Sequence, residues 1–199
     1  MPKVTEEHRT ARREQIARAA LRRFARSGFA ATSMADIIEE SGLSAGAIYG
    51  HYKSKDELIR LAVAEIMDAR FFDIATARDS DPLPSPGQVV RLLVSGLTEQ
   101  VGELQLLLQV WGQVPINPEL STVAAEIGER ITGMLRDYLT QWYARAQGLP
   151  DDRAATLAQR HVSLYVGLVH GYVTQSSLFT GFDGEGYLAT IDALVLPTD

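Results

Sequence analysis

Residues 32–52 read TSMADIIEESGLSAGAIYGHY. Apolar side chains recur at helical spacing on both sides of a tight turn, Ser41-Gly42-Leu43-Ser44. The pattern predicts two short helices, 34–41 and 44–51. Gly42 supplies a turn conformation that a residue with a Cβ resists. Ile37, Ile38, Leu43 and Ile48 would close a small core between the helices, and Ser44 would cap the second. Two short helices joined in this way form a helix-turn-helix, whose second helix enters the major groove of DNA. An ordinary αα-corner has the same spacing, so the choice rests on the flanks.

The flanks favour nucleic acid. Helix N-termini at Thr32/Ser33 and Ser54/Lys55 present amides suited to phosphate oxygens. Tyr49, Tyr52, Lys53 and Lys55 add phenolic and cationic donors just after the turn. Upstream, the arm and a first helix over 6–27 bring Lys3, Arg9, Arg12, Arg13, Arg22, Arg23 and Arg26. Arg22, Arg23 and Arg26 read first as a solvated helix face, whereas Arg12 and Arg13, nearer the chain start, read as contacts to a phosphate backbone. The charge is polarised to match. Its 19 Lys+Arg and 25 Asp+Glu sum to −6, yet residues 1–30 hold eight basic and three acidic side chains. Residues 61–199 hold eight and seventeen. Only the N-terminal end suits a polyanion.

The rest of the composition excludes other classes. At 199 residues and 46% hydrophobic, the chain can build a sizeable core. It has no cysteine, which removes disulfides, Cys-ligated zinc, Fe–S clusters and cysteine nucleophiles. No metal or cofactor is expected. No apolar run reaches the roughly 18 residues that span a bilayer, and no apolar segment follows the charged N-terminus as in a secretory signal. A cytoplasmic protein without a membrane partner is expected.

Eight prolines punctuate long proline-free stretches of helical period. Ser54-Lys55-Asp56-Glu57 is a capping box, and Ser85-Pro86 and Asn117-Pro118 are further helix starts. The expected fold is all-α, with about nine helices: 6–27, 34–41, 44–51, 55–77, 86–101, 104–113, 118–146, 151–178 and 185–195. Residues 1–54 would form a three-helix, helix-turn-helix domain, and 55–199 a helical effector-binding and dimerisation domain.

Residues 14–61 closely resemble the N-terminal pattern of the tetracycline-repressor (TetR) family of bacterial transcriptional regulators. The ordered set is Gly28-Phe29, Thr32-Ser33, Gly42, Ser44, Gly46, Tyr49, His51-Tyr52, Lys55 and Leu58. The resemblance implies that Thr32 and Ser33 anchor a phosphate. It also implies that Ser44, Ala45, Gly46 and Tyr49 face the groove, and that Tyr49, His51, Tyr52 and Lys55 grip the backbone. The reading helix offers no Arg, Asn or Gln for bidentate base readout. Specificity should therefore lean on thymine methyls, a few Ser/Tyr bonds, the arm and DNA shape.

Half-site readers of this size work as two-fold dimers on palindromes. Leu164, Gly167, Leu168, Gly171 and Gln175 form one stripe of helix 151–178, and Ile191 and Leu194 an apolar end of the last helix. The resemblance implies that these pair across a homodimer. The two glycines could instead accommodate a neighbouring helix of the same chain. It further implies a small-molecule pocket, for which Phe71, Leu107, Trp111, Met134, Tyr138 and Tyr165 are the candidates. His161, Val169 and Tyr172 share the inward stripe. An aromatic and methionine stripe is also ordinary core. Such a lining suits an apolar or aromatic effector. The acidic excess of this half argues mildly against a strongly anionic one.

Enzymatic readings fall away. Gly42-Leu43-Ser44-Ala45-Gly46 fits the nucleophile-elbow pattern, but a helix precedes it where that motif needs a strand. GFDGEG at 181–186 lies between helices, and the four histidines lack metal spacing. The function expected is that of a ligand-responsive repressor on a palindromic operator. The alternatives are a DNA-binding activator, or a helical small-molecule-binding module without DNA function.

Overall fold

In the computed structural model, residues 6–28, 31–101 and 104–198 are described. Nine α-helices account for most of them, and no strand occurs among the described residues. They are α1 (Glu6–Ser27), α2 (Met34–Ser41), α3 (Ala45–Tyr49), α4 (Lys55–Asp79), α5 (Pro86–Val101), α6 (Gln105–Gln113), α7 (Pro118–Gln141), α8 (Asp151–Leu178) and α9 (Gly184–Asp192). None is long and apolar enough to cross a membrane.

The helix starts follow from the sequence. Ser54 accepts the Glu57 amide at 3.0 Å, while the Glu57 carboxylate reaches back to the Lys53 amide at 2.6 Å. Asn117 accepts the amides of Glu119 and Leu120 ahead of Pro118. Several boundaries differ from expectation. The reading helix α3 spans only Ala45–Tyr49, with Gly50 as its cap. Helix α9 stops at Asp192, leaving Leu194 and Val195 beyond it. The helix expected to run on to 146 instead widens after Gln141 into a π-helical turn, Trp142–Ala146. That turn carries Tyr143 inward, where its hydroxyl lies 2.7 Å from His161 Nδ1.

Two cores share helix α4. In the head, Ile16, Ala20 and Phe24 of α1 meet Ile37, Ile48, Leu58 and Ile59, together with Leu106 and Val110 of α6. In the body, α5, α7, α8 and α9 close around Leu93, Leu135, Leu139, Leu157 and Leu188. The first turn of α4 thus belongs to the head's core, and Ile74 and Ala77 at its far end to the body's.

The Tyr143–His161 pair gives the body a pH dependence. Burial first, and Arg160 second, lower the His161 pKa below its ordinary 6.5. Folded His161 stays neutral where an unfolded histidine takes a proton. Its contribution is therefore complete above pH about 6.5 and is lost as pH falls from there toward the folded pKa. Burial lowers His170 in the same direction. Thermal melts should show stability falling below pH about 6.5, by at most about 1.4 kcal/mol per pH unit from His161. His161→Gln should flatten that slope; an unchanged slope would contradict the assignment.

Candidate nucleic-acid interface and ligand cavity

Helices α2 and α3 are held by short-range chemistry. Gly42 ends α2 at φ 66°, in the left-handed region, and its amide donates to Glu39 O at 3.2 Å. Gly42→Ala meets open space but must adopt that conformation, so it should cost about 1–2 kcal/mol in chemical denaturation. An unchanged midpoint would show that the turn is not held in this geometry. Ser44 caps α3 by accepting the Ala47 amide at 3.2 Å. Ile48 is the buried face of α3. Its other face is open: Ser44, Ala45, Gly46, Tyr49 and Gly50 are all exposed, Tyr49 by 51%.

Several residues expected to touch phosphate are committed elsewhere. Thr32 is 2% exposed, and its hydroxyl donates to Gly28 O at 2.7 Å. Its carbonyl accepts the Lys55 ammonium at 2.9 Å, so Thr32 joins the end of α1 to the starts of α2 and α4. It offers no hydroxyl to solvent. Tyr52 is 3% exposed, a member of the head's core whose hydroxyl donates to Arg13 O at 3.3 Å. Ser33 is exposed, but Asp36 accepts its amide and its hydroxyl, both at 2.7 Å. These bonds, with Arg23 nearby, hold the Asp36 carboxyl below its ordinary pKa. An ionised carboxylate therefore sits across the α2 N-terminus, where an anion was expected. His51 is half-buried beside Tyr52, their ring centres 6.4 Å apart. The arginines of α1 brace the head: Arg22 and Arg26 pair with Glu40, and Arg23 pairs with Asp36 at 3.0 Å. Arg12 and Arg13 lie on the same helix, Arg12 donating to Gln15 at 3.0 Å. Lys3 and Phe29, and the side chains of His8 and Arg9, lie outside the described residues.

Between α4, α6, α7 and α8 lies a cavity of about 370 Å³ with mostly apolar walls. Leu107 and Trp111 line it. Phe71, Met134, Tyr138 and Tyr165 do not. Phe71 is buried beneath the Arg130 guanidinium, 3.8 Å from its ring centre. Met134 packs on the body core. Tyr138 and Tyr165 are 1% and 5% exposed and border a separate void of about 10 Å³, too small for a ligand. Burial pushes both phenols well above their ordinary pKa, and Tyr138 donates to Pro84 O. Phe72 points to solvent, 71% exposed. The sequence reading missed the α4 wall, which is Arg60 together with the stripe Val63, Ile66, Met67 and Arg70. Their spacing of three, one and three is visible in the sequence as a helical stripe closed by an arginine.

The expected dimer stripe is divided. Leu164 and Gly167 are exposed on α8, and Leu194 is 39% exposed. Gly171 lies under the Tyr187 hydroxyl, which donates to Leu168 O at 2.8 Å; a Cβ at 171 would sit 2.7 Å from that hydroxyl. Leu168 and Gln175 are half-buried. Ile191 is 4% exposed within the chain's own core and has no surface left for a partner.

A capped helix pair with one buried and one bare face, seated on a third helix, defines a helix-turn-helix protein. Residues 16–62 match the family model described as bacterial regulatory proteins, tetR family. Among relatives, the chain is 42% identical over 67 residues to the uncharacterized HTH-type transcriptional regulator YfiR of Bacillus subtilis, covering 34% of this chain and 33% of that one. It is 35% identical over 102 residues to the HTH-type transcriptional regulator TtgR of Pseudomonas putida, covering 51% and 48%. These alignments span only a third to a half of the relatives' own length. The whole fold is similar to that of a transcriptional regulator from Aquifex aeolicus VF5, with TM-score 0.72 and 15% identity over 92% of this chain and 96% of that one. Over its N-terminal segment the chain is thus similar to the TetR family, and the relatives it matches there are regulators.

Proposed function

We propose that the chain is a ligand-responsive transcriptional repressor. It binds a palindromic operator as a cytoplasmic homodimer and leaves it when a small apolar or aromatic molecule enters the cavity. The observation that carries this reading is the position of α4. Its first turn puts Leu58 and Ile59 into the head's core, and one to three turns on Val63, Ile66 and Met67 form the cavity wall. Asn117 at the start of α7 donates to Asp56 at 3.1 Å, tying the cavity's far wall to the same first turn. A ligand that fits better when α4 is displaced shifts the population toward heads whose spacing no longer matches two half-sites. Moving a mostly operator-competent population to a mostly incompetent one takes roughly 5 kcal/mol of differential ligand affinity.

The bare face of α3 would lie in the groove, with Ser44, Ala45, Gly46 and Tyr49 toward the bases. Tyr49, His51 and Lys55 would stand at its edge, and Arg12 and Arg13 toward the backbone. The homodimer would be built on Leu164 and Gly167 of α8 and on Leu194, with Leu178 and Phe179 (62% and 59% exposed) continuing the apolar strip. Native mass spectrometry of freshly purified chain, alone and with a duplex from upstream of its own gene, tests the proposal. A dimer carrying a small co-purified molecule, and a complex of two chains per duplex from which that molecule is absent, are expected. A monomer that forms no complex would contradict it.

A further inference from the structure

The cavity wall is cationic although the body around it is acidic. None of the described residues that line it is an aspartate or a glutamate, while Arg60 and Arg70 both stand in it. The described acidic side chains of residues 61–199 therefore lie outside its wall. Arg60 is exposed; Arg70 is 8% exposed. The Arg70 guanidinium lies directly over Gly96 of α5, so closely that a Cβ at 96 would overlap it. Its nitrogens are poorly met. Nη1 is buried and has no hydrogen-bond partner among the described residues. Nε has the Asp73 carboxylate at 3.2 Å but makes no well-directed hydrogen bond with it. Asp73 is itself partly exposed, one turn along α4. A buried guanidinium with one off-line partner is unfavourable, because its desolvation is not offset by directed bonds. A planar oxyanion in the cavity, with the guanidinium turned from Gly96 toward it, would supply them, since carboxylate and guanidinium match in geometry.

Building on the reading of this cavity as an effector site, we propose that its ligand is an amphipathic monocarboxylate. The carboxylate is held by Arg70, and the apolar body lies against Ile66, Leu97, Leu107 and Trp111. Gly96 is part of the site because only a glycine leaves room for the guanidinium. One buried arginine and a large apolar wall suit a single anionic head rather than a polyanion. His170, edge-on to Trp111 with ring centres 4.8 Å apart, adds a hydrogen-bonding group to the wall.

Displacement of the neutral fluorophore N-phenyl-1-naphthylamine by decanoate, 1-decanol and decylamine at neutral pH tests this, because the three share a chain length and differ in head group. The wild type should bind decanoate at least about tenfold more tightly than decanol, and decylamine most weakly. Arg70→Met and Gly96→Ala should each remove that preference while changing decanol affinity less than about threefold. Gly96→Ala keeps the arginine and its charge but displaces it, so it decides the matter if Arg70→Met fails to fold. Decanol binding as tightly as decanoate to the wild type, or decanoate preference surviving both variants, would overturn the carboxylate assignment and leave the effector cavity standing. Failure of the fluorophore and all three amphiphiles to bind would overturn the cavity reading, and the carboxylate with it.

Discussion

Gly46→Glu should weaken operator binding by roughly a hundredfold or more and leave the fold as stable as before. Gly46 is the second residue of α3, exposed on its bare face, and a Cβ there meets nothing within 4 Å. Locally the change is favourable. Glutamate is a better helix former than glycine by about 0.5–1 kcal/mol, and an acid in the first turn suits the helix dipole. Against DNA it is adverse, because each head would push a carboxylate toward the groove floor and its flanking phosphates. A wrong contact at one base pair costs about 1–3 kcal/mol, so two half-sites together should lose roughly a hundredfold or more in affinity. Gel shift and thermal melting on the same preparation separate the two effects. Undiminished affinity would show that another face of the head meets DNA.

Gly87→Ala should destabilise the body by about 3 kcal/mol, where helix propensity alone predicts a gain of up to about 1 kcal/mol. Gly87 is buried in the first turn of α5, where α9 crosses it. A Cβ there would lie 2.7 Å from Asp192 Cα and 2.8 Å from Ile191 O. Both are backbone atoms, so no rotamer change relieves the contact and α9 must lift. Lifting α9 unseats Leu188 and Ile191 from the core. It also stretches the bridge from Arg91 to Glu185 and Asp192, at 2.8 and 2.9 Å. At this chain length the loss corresponds to a melting point lower by roughly 6–12 °C. A melting point that stays or rises would contradict the tight α5–α9 crossing. The proposed dimer uses α8 and the segment after α9, so the variant should also dissociate more readily.

What was legible in the sequence followed from local chemistry. Prolines, caps and period placed the helices, and Gly42 with Ser44 placed the helix-turn-helix. The misplaced residues are those whose role depends on distant partners. Tyr52 follows the reading helix in sequence, like the exposed Tyr49, but its ring belongs to a core built with α1 and α4. Gly167 and Gly171 look equivalent by spacing; only Gly171 has Tyr187 of α9 above it. Tyr138 and Tyr165 have the composition of a pocket wall yet close on each other around a void of about 10 Å³. Charge summed over residues 61–199 argued mildly against a strongly anionic ligand and is silent on a single anionic head. For such a head the local charge counts, and Arg70 stands at the cavity wall.

The central claim is that the bare face of α3 makes this chain a reader of duplex DNA. Fluorescence anisotropy of a labelled palindrome from upstream of its own gene, titrated with the chain between about 50 and 200 mM salt, tests it most directly. Saturation at two chains per duplex is expected, with affinity falling linearly on a log–log plot as salt rises. The absence of salt-dependent binding to any duplex from that region would contradict it.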